Sequence, residues 1–337
     1  MGASDMKYVA DPERYGSMKY RRIERSGLKL PALSLGLWHN FGVDDDFENM
    51  RRMILTAFDC GITAFDMANT YGRPLFGSAE ENFGKILGSD LSAYRDELVI
   101  TTKAGYGMWQ GPYGDGGGRK YLISSLDQSL RRLGVDYVDI FYHHRPDPET
   151  PLEETMEALA HIVRSGKALY VGLSNYDGER MKRAAEILDS LHTPFVVNQN
   201  RLSILDRSSE EAGLVDASRE LGLGVVAFSP LAQGILAGRY LNGIPEDSRV
   251  RMNGFSLKES AITEDKVEKS RALNRIAESR GETLAQMSLA WVLNRNPVVS
   301  VIIGASSPEQ IKENVSAANY QPFTAEQLAE IDEIALS

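Results

Sequence analysis

Eight short apolar runs alternate with longer amphipathic runs along the 337-residue chain, and this alternation constrains the fold more than any other feature. The apolar runs are ALSLGLW (32–38), ITAFDMA (62–68), LVITTKA (98–104), YVDIFYHH (137–144), ALYVGLSN (168–175), FVVNQNRL (195–202), GVVAFSPL (224–231) and VVSVIIGA (298–305). Strands that alternate strictly with helices form a parallel sheet, and eight such units close a barrel. We therefore predict an α/β fold, a (β/α)8 TIM barrel.

Additional segments surround the eight units. KYRRIERSGLKLP (19–31) predicts an N-terminal β-hairpin at the barrel floor, and TAEQLAEIDEIA (324–335) predicts one more helix. Two long segments, 105–120 and 233–262, follow the third and seventh strands and predict extra loops and helices at the C-terminal face. No linker interrupts the series, so we predict a single domain over 1–337 with a core of about 18–335.

Charge and composition exclude several classes of function. The formal net charge of −10 argues against a general affinity for nucleic acid, whose phosphates require a basic face. Cys60 is the single cysteine, so no internal disulfide forms. The polar N-terminus lacks an apolar core of about 7–15 residues, which predicts no export signal, and an uncharged apolar run of about 18 residues occurs nowhere, which predicts no membrane span. We expect a cytoplasmic protein. Among five histidines only His143 and His144 are clustered, so we predict no metal site.

Three helix starts carry the capping-box pattern, in which Ser or Thr is followed three residues later by Glu or Gln. The predicted pairs are Ser78 with Glu81, Thr150 with Glu153, and Ser307 with Gln310. Each pair predicts two reciprocal hydrogen bonds at the first turn of its helix.

Titratable side chains gather at the carboxyl ends of three neighbouring predicted strands. Asp66 lies near the end of the second strand, Tyr71 in the loop after it, Lys103 at the end of the third, and His143 and His144 at the end of the fourth. Such a set suits proton delivery to a carbonyl oxygen while a hydride reaches the carbon. A phenol of pKa about 10 needs a nearby cation to stabilise its phenolate, and an aspartate would keep that lysine charged. Neighbouring strand residues face opposite sides, so His143 and His144 cannot both face the site. The histidine that does face it would orient the carbonyl.

A reductase of this kind requires a hydride donor. GLGVVA (222–227) matches the dinucleotide pattern G-x-G-x-x-A, but it leads from a helix into a strand, which is the wrong order for that site. The loops after the seventh and eighth strands, FSPLAQG (228–234) and GASSPEQIKEN (304–314), offer backbone N–H groups to a phosphate instead.

Several motifs together resemble the aldo-keto reductases. They are FDMANTYG (65–72) with GSAEENFG (77–84), TTKAG (101–105), VDIFYHHRPD (138–147) and GLSNY (172–176), and the resemblance runs from about Tyr20 to the C-terminus. Within the family, LPALSLGLWHNFG, KAGYGMWQGPYGDGGGRKYL, SGKALYVGLSNY and PLAQGILAGRYLNGIPEDSR look most like bacterial L-glyceraldehyde 3-phosphate reductases, with potassium channel β subunits as near relatives. The resemblance implies a barrel enzyme that reduces aldehydes.

The resemblance also implies a catalytic tetrad of Asp66, Tyr71, Lys103 and His144, with Tyr71 as the general acid. The family histidine lies five residues after the aspartate of the fourth-strand motif, which is Asp139, so it corresponds to His144. In the channel subunits this position is asparagine. His144 therefore favours an active enzyme.

The family's cofactor site carries over residue by residue and implies NADPH or NADP+. From the nicotinamide towards the adenosine, its members would be Trp38, Ser174, Asn175, Gln199, Phe228, Ser229, Leu231, Gly234, Arg239, Arg249, Gly304, Ser306, Gln310, Glu313 and Asn314. Many relatives have arginine where Gln310 stands, to bind the 2′-phosphate of NADPH. We expect NADPH to be preferred to NADH, with Gln310 in place of the positive charge that those relatives have at the 2′-phosphate.

The expected substrate site is lined by Trp38, Tyr71, Trp109, His144 and Arg145, with Arg145 able to attract a phosphate. The resemblance implies small aldehydes such as L-glyceraldehyde 3-phosphate or methylglyoxal, and a homo-oligomer of four or more copies. Two alternatives stay open. One is a lyase in which Lys103 forms a Schiff base, and the other is a nucleotide-binding regulatory subunit with little turnover.

Overall fold

A computed structural model describes residues 8–245 and 259–337, and eight of its strands form one closed barrel. In chain order they are β3 (Leu33–Gly36), β4 (Ala64–Asp66), β5 (Val99–Ala104), β6 (Val138–His143), β7 (Ala168–Ser174), β8 (Phe195–Arg201), β9 (Gly224–Phe228) and β10 (Val298–Ile303). Each strand pairs in parallel with the next, and β10 closes the ring on β3. The predicted TIM barrel is confirmed, strand by strand.

Helices follow the barrel strands as the alternation predicts. They are α1 (Phe47–Asp59), α2 (Ser78–Ile86), α3 (Arg119–Leu133), α4 (Leu152–Arg164), α5 (Gly178–Ser190), α6 (Ser208–Glu211), α7 (Leu214–Leu221), α8 (Glu264–Ser279), α9 (Leu284–Leu293), α10 (Pro308–Val315) and α11 (Ala325–Leu336). A π-helical turn (Leu87–Leu91) and short 3-10 helices (Ser92–Glu97, Ala232–Ala237, Glu259–Ala261, Ser316–Asn319) complete the described chain. Over residues 8–245 and 259–337, none of the helices has the length and apolar character that crossing a membrane requires.

The predicted hairpin is confirmed as β1 (Tyr20–Arg22) and β2 (Lys29–Pro31), which pair antiparallel. Its position at the floor follows from the contacts of Arg21, whose Nη1 donates to the carbonyl oxygens of Leu293 (2.6 Å) and Val298 (3.0 Å), where β10 begins. The opposite, carboxyl end of the barrel is therefore left open for a site.

Two of the three predicted capping boxes are wrong. Gly77, in a left-handed conformation, caps α2, and the Ser78 hydroxyl donates to the Gly72 carbonyl (2.9 Å). Pro151 precedes α4, and the Thr150 hydroxyl donates to Asp147 (2.7 Å). Both hydroxyls donate to acceptors in the preceding loops, and a glycine or a proline occupies the cap position.

Of the third predicted box, one of the two hydrogen bonds is present. Ser307 caps α10 by accepting from the Gln310 backbone N–H, but the Gln310 side chain accepts from the Ser306 backbone N–H (2.8 Å). The side chain thus reaches one residue beyond the cap and braces the loop after β10.

The barrel interior is filled by side chains that support the site from below. Tyr142, on β6, is 1% exposed and packs flat against β7 at Gly172. A Cβ atom at position 172 would lie 2.4 Å from two carbons of the Tyr142 ring, so a glycine is required there. The interior is a packed core with a small cavity among Ser34, Thr101 and Ile140.

Candidate active site

The centre of the site is a buried ion pair between two neighbouring strands. Asp66 ends β4, and Lys103 lies near the end of β5, two residues beyond the register partner of Asp66. The Lys103 Nζ atom donates to Asp66 Oδ2 at 2.5 Å and to the Met67 carbonyl oxygen at 2.7 Å. The Lys103 side chain is fully buried. Because the strands fix both ends of the pair, its geometry follows from the barrel register.

The second oxygen of Asp66 is also fully engaged. It accepts from the Thr101 hydroxyl at 2.9 Å and from Gln199 Nε2 at 2.9 Å. Burial lowers the pKa of Lys103, and the charge of Asp66 and its hydrogen bond oppose that shift. The expectation that Asp66 favours the charged form of Lys103 therefore agrees with the geometry. Gln199, expected at the nicotinamide, is bound to Asp66.

Tyr71 stands above this pair. A tight turn, in which its backbone N–H donates to the Ala68 carbonyl (3.0 Å) and Gly72 adopts φ +89°, carries the chain out of β4. The half-buried ring has its centroid 5.0 Å from Lys103 Nζ. Burial raises the pKa of Tyr71 well above 10, and the negative charge of Asp66 adds to the shift. The phenol therefore keeps its proton at neutral pH.

His144 faces Tyr71. Its backbone N–H donates to the Ala104 carbonyl (2.9 Å), which continues the pairing of β6 with β5, and its ring centroid lies 6.0 Å from that of Tyr71. Burial lowers the pKa of His144 well below 6.5, and the charge of Lys103 lowers it further. The imidazole is therefore neutral. Its Nδ1 atom is buried and has no hydrogen-bond partner among the described residues.

His143 faces the opposite side of β6, as strand alternation predicts. Its fully buried ring lies with Nδ1 2.8 Å from the Tyr176 hydroxyl. Burial lowers the pKa of His143 to about 4, although the charge of Asp147 opposes the shift. The structure thus brings Asp66, Tyr71, Lys103 and His144 together and leaves His143 outside the group.

Sequence reasoning missed one aromatic neighbour of this group. Tyr106 follows β5 in the glycine-rich loop, and its ring stands perpendicular to the His144 ring with the centroids 4.7 Å apart. Tyr106 is 40% exposed, so it forms part of the wall of the open mouth. Its place two residues after the end of β5 was the available signal, because that position lies at the carboxyl face.

The expected substrate residues occupy different places on the rim. Trp38 is 40% exposed, with its ring centroid 6.4 Å from that of Tyr71, so it adjoins the mouth. Trp109 packs on Tyr121 of α3, with the centroids 5.1 Å apart, and this contact supports the loop. Arg145 is paired with Asp115, whose two oxygens accept from its Nη2 atom at 2.9 and 3.1 Å.

The expected nicotinamide residues lie at the ends of β7 and β8. The Ser174 hydroxyl donates to the Gln199 carbonyl (2.9 Å). Asn175 adopts φ +60° and its Nδ2 atom donates to the His144 carbonyl (2.9 Å), so it joins β7 to the histidine. Asparagine adopts this left-handed conformation more readily than most other non-glycine residues.

The loop after β9 holds the expected pyrophosphate residues in an unusual backbone conformation. Phe228 ends the strand, and the positive-φ residues that follow are Ser229 (+55°), Ala232 (+47°), Gln233 (+60°) and Gly234 (+103°). Leu231 lies between Ser229 and Ala232 with φ −97°. Such turns direct successive N–H groups to one side and suit an anion. Arg239 is exposed beyond this loop, and Arg249 lies outside the described residues.

The expected adenosine residues surround the start of α10. Gly304, Ser306, Gln310 and Glu313 are exposed, whereas Asn314 is buried. The Gln310 Oε1 atom accepts from the Ser306 N–H (2.8 Å) and hydroxyl (3.1 Å), and Asn49 of α1 donates to the Ser306 carbonyl (2.9 Å). The loop is held by its own side chains. Within residues 8–245 and 259–337, no cluster of His, Cys, Asp or Glu suits a metal ion.

Comparison with known proteins agrees with this architecture. Residues 32–336 match the model of the aldo/keto reductase family. The chain is 54% identical over 331 residues to the L-glyceraldehyde 3-phosphate reductases of Escherichia coli O157:H7 and Escherichia coli strain K12, covering 97% of this chain and 95% of each relative. It is 39% identical over 327 residues to a putative voltage-gated potassium channel subunit beta of Schizosaccharomyces pombe, covering 94% of this chain and 93% of that protein.

Proposed function

Because this chain belongs to the aldo/keto reductase family, we propose that it reduces small aldehydes to alcohols with NADPH and that Tyr71 is the general acid. The observation that carries the proposal is the placement of the Tyr71 and His144 rings, 6.0 Å apart between centroids, above a buried lysine–aspartate pair. Burial raises the pKa of Tyr71 and lowers the pKa of His144, which favours a protonated phenol and a neutral imidazole. A carbonyl oxygen between the two rings would meet a proton donor and a hydrogen-bond donor at once.

The residues around the mouth suit NADPH. Three non-glycine residues with positive φ in the loop after β9, Ser229, Ala232 and Gln233, offer N–H groups to a pyrophosphate. Ser174 and Asn175 would hold the carboxamide, Phe228 the nicotinamide ring, and Ser306 with Gln310 the adenosine end. When bound, NADPH supplies the hydride that the carbonyl carbon receives.

In the proposed reaction the protein supplies the proton and the orientation. Tyr71 gives its phenolic proton to the carbonyl oxygen, and the phenolate that remains lies near the Lys103 ammonium, which is 5.0 Å from the ring centroid. Asp66 favours the ammonium form, and Thr101 and Gln199 fix Asp66. His144 orients the carbonyl as a neutral donor, since burial keeps its pKa low. The phenolate then regains a proton from solvent.

The substrate class is inferred from the relatives. The L-glyceraldehyde 3-phosphate reductases are 54% identical over nearly the whole chain, so we propose L-glyceraldehyde 3-phosphate as the first substrate to test, with methylglyoxal next. Lys103 is fully buried and donates to two oxygens, which disfavours a Schiff base because the amine would have to leave both. His144, in place of an asparagine, supports turnover over a purely regulatory role.

The test is NADPH oxidation, followed by absorbance, with both hands of glyceraldehyde 3-phosphate, methylglyoxal and an aromatic aldehyde, and a parallel series with NADH. We expect turnover with NADPH and the highest kcat/KM for the L-form of glyceraldehyde 3-phosphate. NADPH binding without turnover of any aldehyde would favour a regulatory subunit. Borohydride trapping of substrate on Lys103 would favour the lyase.

A further inference from the structure

The guanidinium of Arg145 is held at the rim by three separate contacts. Its Nε atom donates to the Gly105 carbonyl (2.8 Å), its Nη2 atom donates to both oxygens of Asp115 (2.9 and 3.1 Å), and its Cζ atom lies 4.8 Å from the centroid of the Tyr106 ring. The same Tyr106 ring contacts His144, with the centroids 4.7 Å apart. The fixed Arg145 cation and the imidazole of the proposed catalytic group thus contact the same tyrosine ring.

We propose that Arg145 binds the anionic end of the substrate, and that Asp115 occupies this position until a substrate anion displaces it. The inference rests on the proposed function, because it takes the aldehyde carbonyl to lie beside Tyr71 and His144. It makes Asp115 a residue that determines specificity. A neutral aldehyde gains nothing from displacing Asp115, whereas an anionic one takes over its contacts.

Arg145 keeps its place when Asp115 departs. Two of its three contacts, with Gly105 and with Tyr106, do not involve the carboxylate. A guanidinium carries five N–H donors in a planar fork that matches carboxylate and phosphate alike. The cation is therefore prepared for an incoming anion before the anion arrives, and little reorganisation opposes binding.

The Asp115 contact is weak enough to exchange. The Arg145 side chain is 39% exposed and that of Asp115 is 53% exposed, and ion pairs with this exposure contribute little to stability. A phosphate monoester brings a charge of about −1.5 to −2 and three acceptor oxygens, against one charge and two oxygens for a carboxylate. The phosphate is therefore the stronger partner of Arg145.

Movement of the Asp115 side chain breaks one contact besides the ion pair, namely the hydrogen bond that its Oδ1 atom accepts from the Gly116 N–H (2.7 Å), and this bond is exposed to water. Asp115 lies in the run GDGGG (114–118), where Gly116 has φ +86°. The end of the loop is fixed separately, because the Gly117 N–H donates to Asp147 (2.7 Å) and the Gly117 carbonyl accepts from Thr155 (3.0 Å). The aspartate side chain can thus turn out to solvent while the loop stays in place.

The spacing limits the class of substrate. Arg145 and His144 contact one and the same aromatic ring, so the anion and the carbonyl of a substrate that reaches both are separated by only a few bonds. A three-carbon aldehyde with a terminal phosphate meets this condition. The chemistry that supplies such a substrate is a reaction that releases a phosphorylated triose.

Binding of glycerol 3-phosphate tests the inference. This alcohol carries the phosphate but no carbonyl, so it does not react with NADPH, and calorimetric titration of the full chain with NADPH present measures its affinity. We expect Asp115→Asn to bind it roughly fivefold more tightly, which is the most that losing an exposed competing pair allows. We expect Arg145→Met to bind it at least about tenfold more weakly, and both variants to bind glycerol as the wild type does.

The control is Glu220→Gln, which removes the carboxylate of an exposed ion pair with Lys182 between α5 and α7 and should leave the affinity unchanged. Unchanged or weaker binding by Asp115→Asn, or absence of binding by the wild type, would overturn the inference. A different result would contradict the proposed function: no aldehyde is reduced, although glycerol 3-phosphate binds more tightly to Asp115→Asn and more weakly to Arg145→Met.

Discussion

Two ion pairs in the same mouth differ in almost every respect except charge. Lys103 and Asp66 meet at 2.5 Å on adjacent strands with the lysine fully buried, whereas Arg145 and Asp115 meet at 2.9 Å between a strand end and a glycine-rich loop, with both side chains exposed by more than a third. The strand register holds the first pair and solvent weakens the second. The difference supports our proposal that the rigid pair serves the chemistry and the exchangeable pair selects the substrate.

The largest effect should follow from breaking the buried pair. Asp66→Asn leaves the Lys103 ammonium buried without a counter-charge, and we expect a loss of about 3–5 kcal/mol in the free energy of unfolding, measured by urea denaturation. Lys103→Met should cost less, because Thr101 and Gln199 still donate to the remaining carboxylate.

The double variant Asp66→Asn/Lys103→Met is the control for this expectation. It removes both charges together, so it should recover part of the stability that Asp66→Asn loses. Strictly additive losses would contradict the view that the two residues act as a coupled pair.

A smaller effect on the free energy of unfolding should follow from the buried His143, and it should depend on pH. Its folded-state pKa of about 4 lies below the ordinary value of 6.5, so the unfolded chain binds the proton more readily. The stability associated with neutral His143 is complete above about pH 6.5 and is lost as the pH falls towards 4, which amounts to about 2 kcal/mol at pH 5. His143→Gln should therefore lose less stability between pH 7 and pH 5 than the wild type does.

Urea midpoints of both proteins at the two pH values provide the measurement. Equal losses for the wild type and His143→Gln would mean that His143 titrates alike in the folded and unfolded chains. The site chemistry should be unaffected, because the ring contacts Tyr176 on the far side of β6 from His144.

The smallest effect should come from the exposed pair. Asp115→Asn should change the free energy of unfolding by less than about 1 kcal/mol, since both side chains are solvated. Thermal unfolding of Asp115→Asn, compared with that of the wild type and of Glu220→Gln, checks this expectation. A loss comparable to that of Asp66→Asn would show that Asp115 is a structural anchor of the loop and would remove the distinction between the two pairs.

The sequence predicted those features that follow from strand periodicity. Eight apolar runs gave the eight strands. The ends of adjacent strands brought Asp66 and Lys103 together, because Lys103 lies only two residues beyond the register partner of Asp66 on β5. Alternation likewise separated His143 from His144. These relations need only the period of a strand and the order of the chain.

Contacts made by loops and by competing acceptors were not predictable. Tyr106 lies in a loop without periodicity, so its place after β5 indicated the carboxyl face but not the contact of its ring with His144. The hydroxyls of Ser78 and Thr150 bind acceptors in preceding loops instead of capping their helices. Gln199 reaches across the barrel mouth to Asp66, a contact that depends on closure of the whole barrel. Each of these outcomes is decided by tertiary structure.

The most direct test of the central claim compares two tyrosines whose rings both adjoin His144. Tyr71→Phe and Tyr106→Phe each remove one hydroxyl, and single-turnover NADPH oxidation with the preferred aldehyde gives the rate of the chemical step. We predict a loss of about 100- to 10,000-fold for Tyr71→Phe with NADPH binding retained, and a loss below about tenfold for Tyr106→Phe. A rate for Tyr71→Phe within tenfold of the wild type would contradict the assignment of Tyr71 as the general acid.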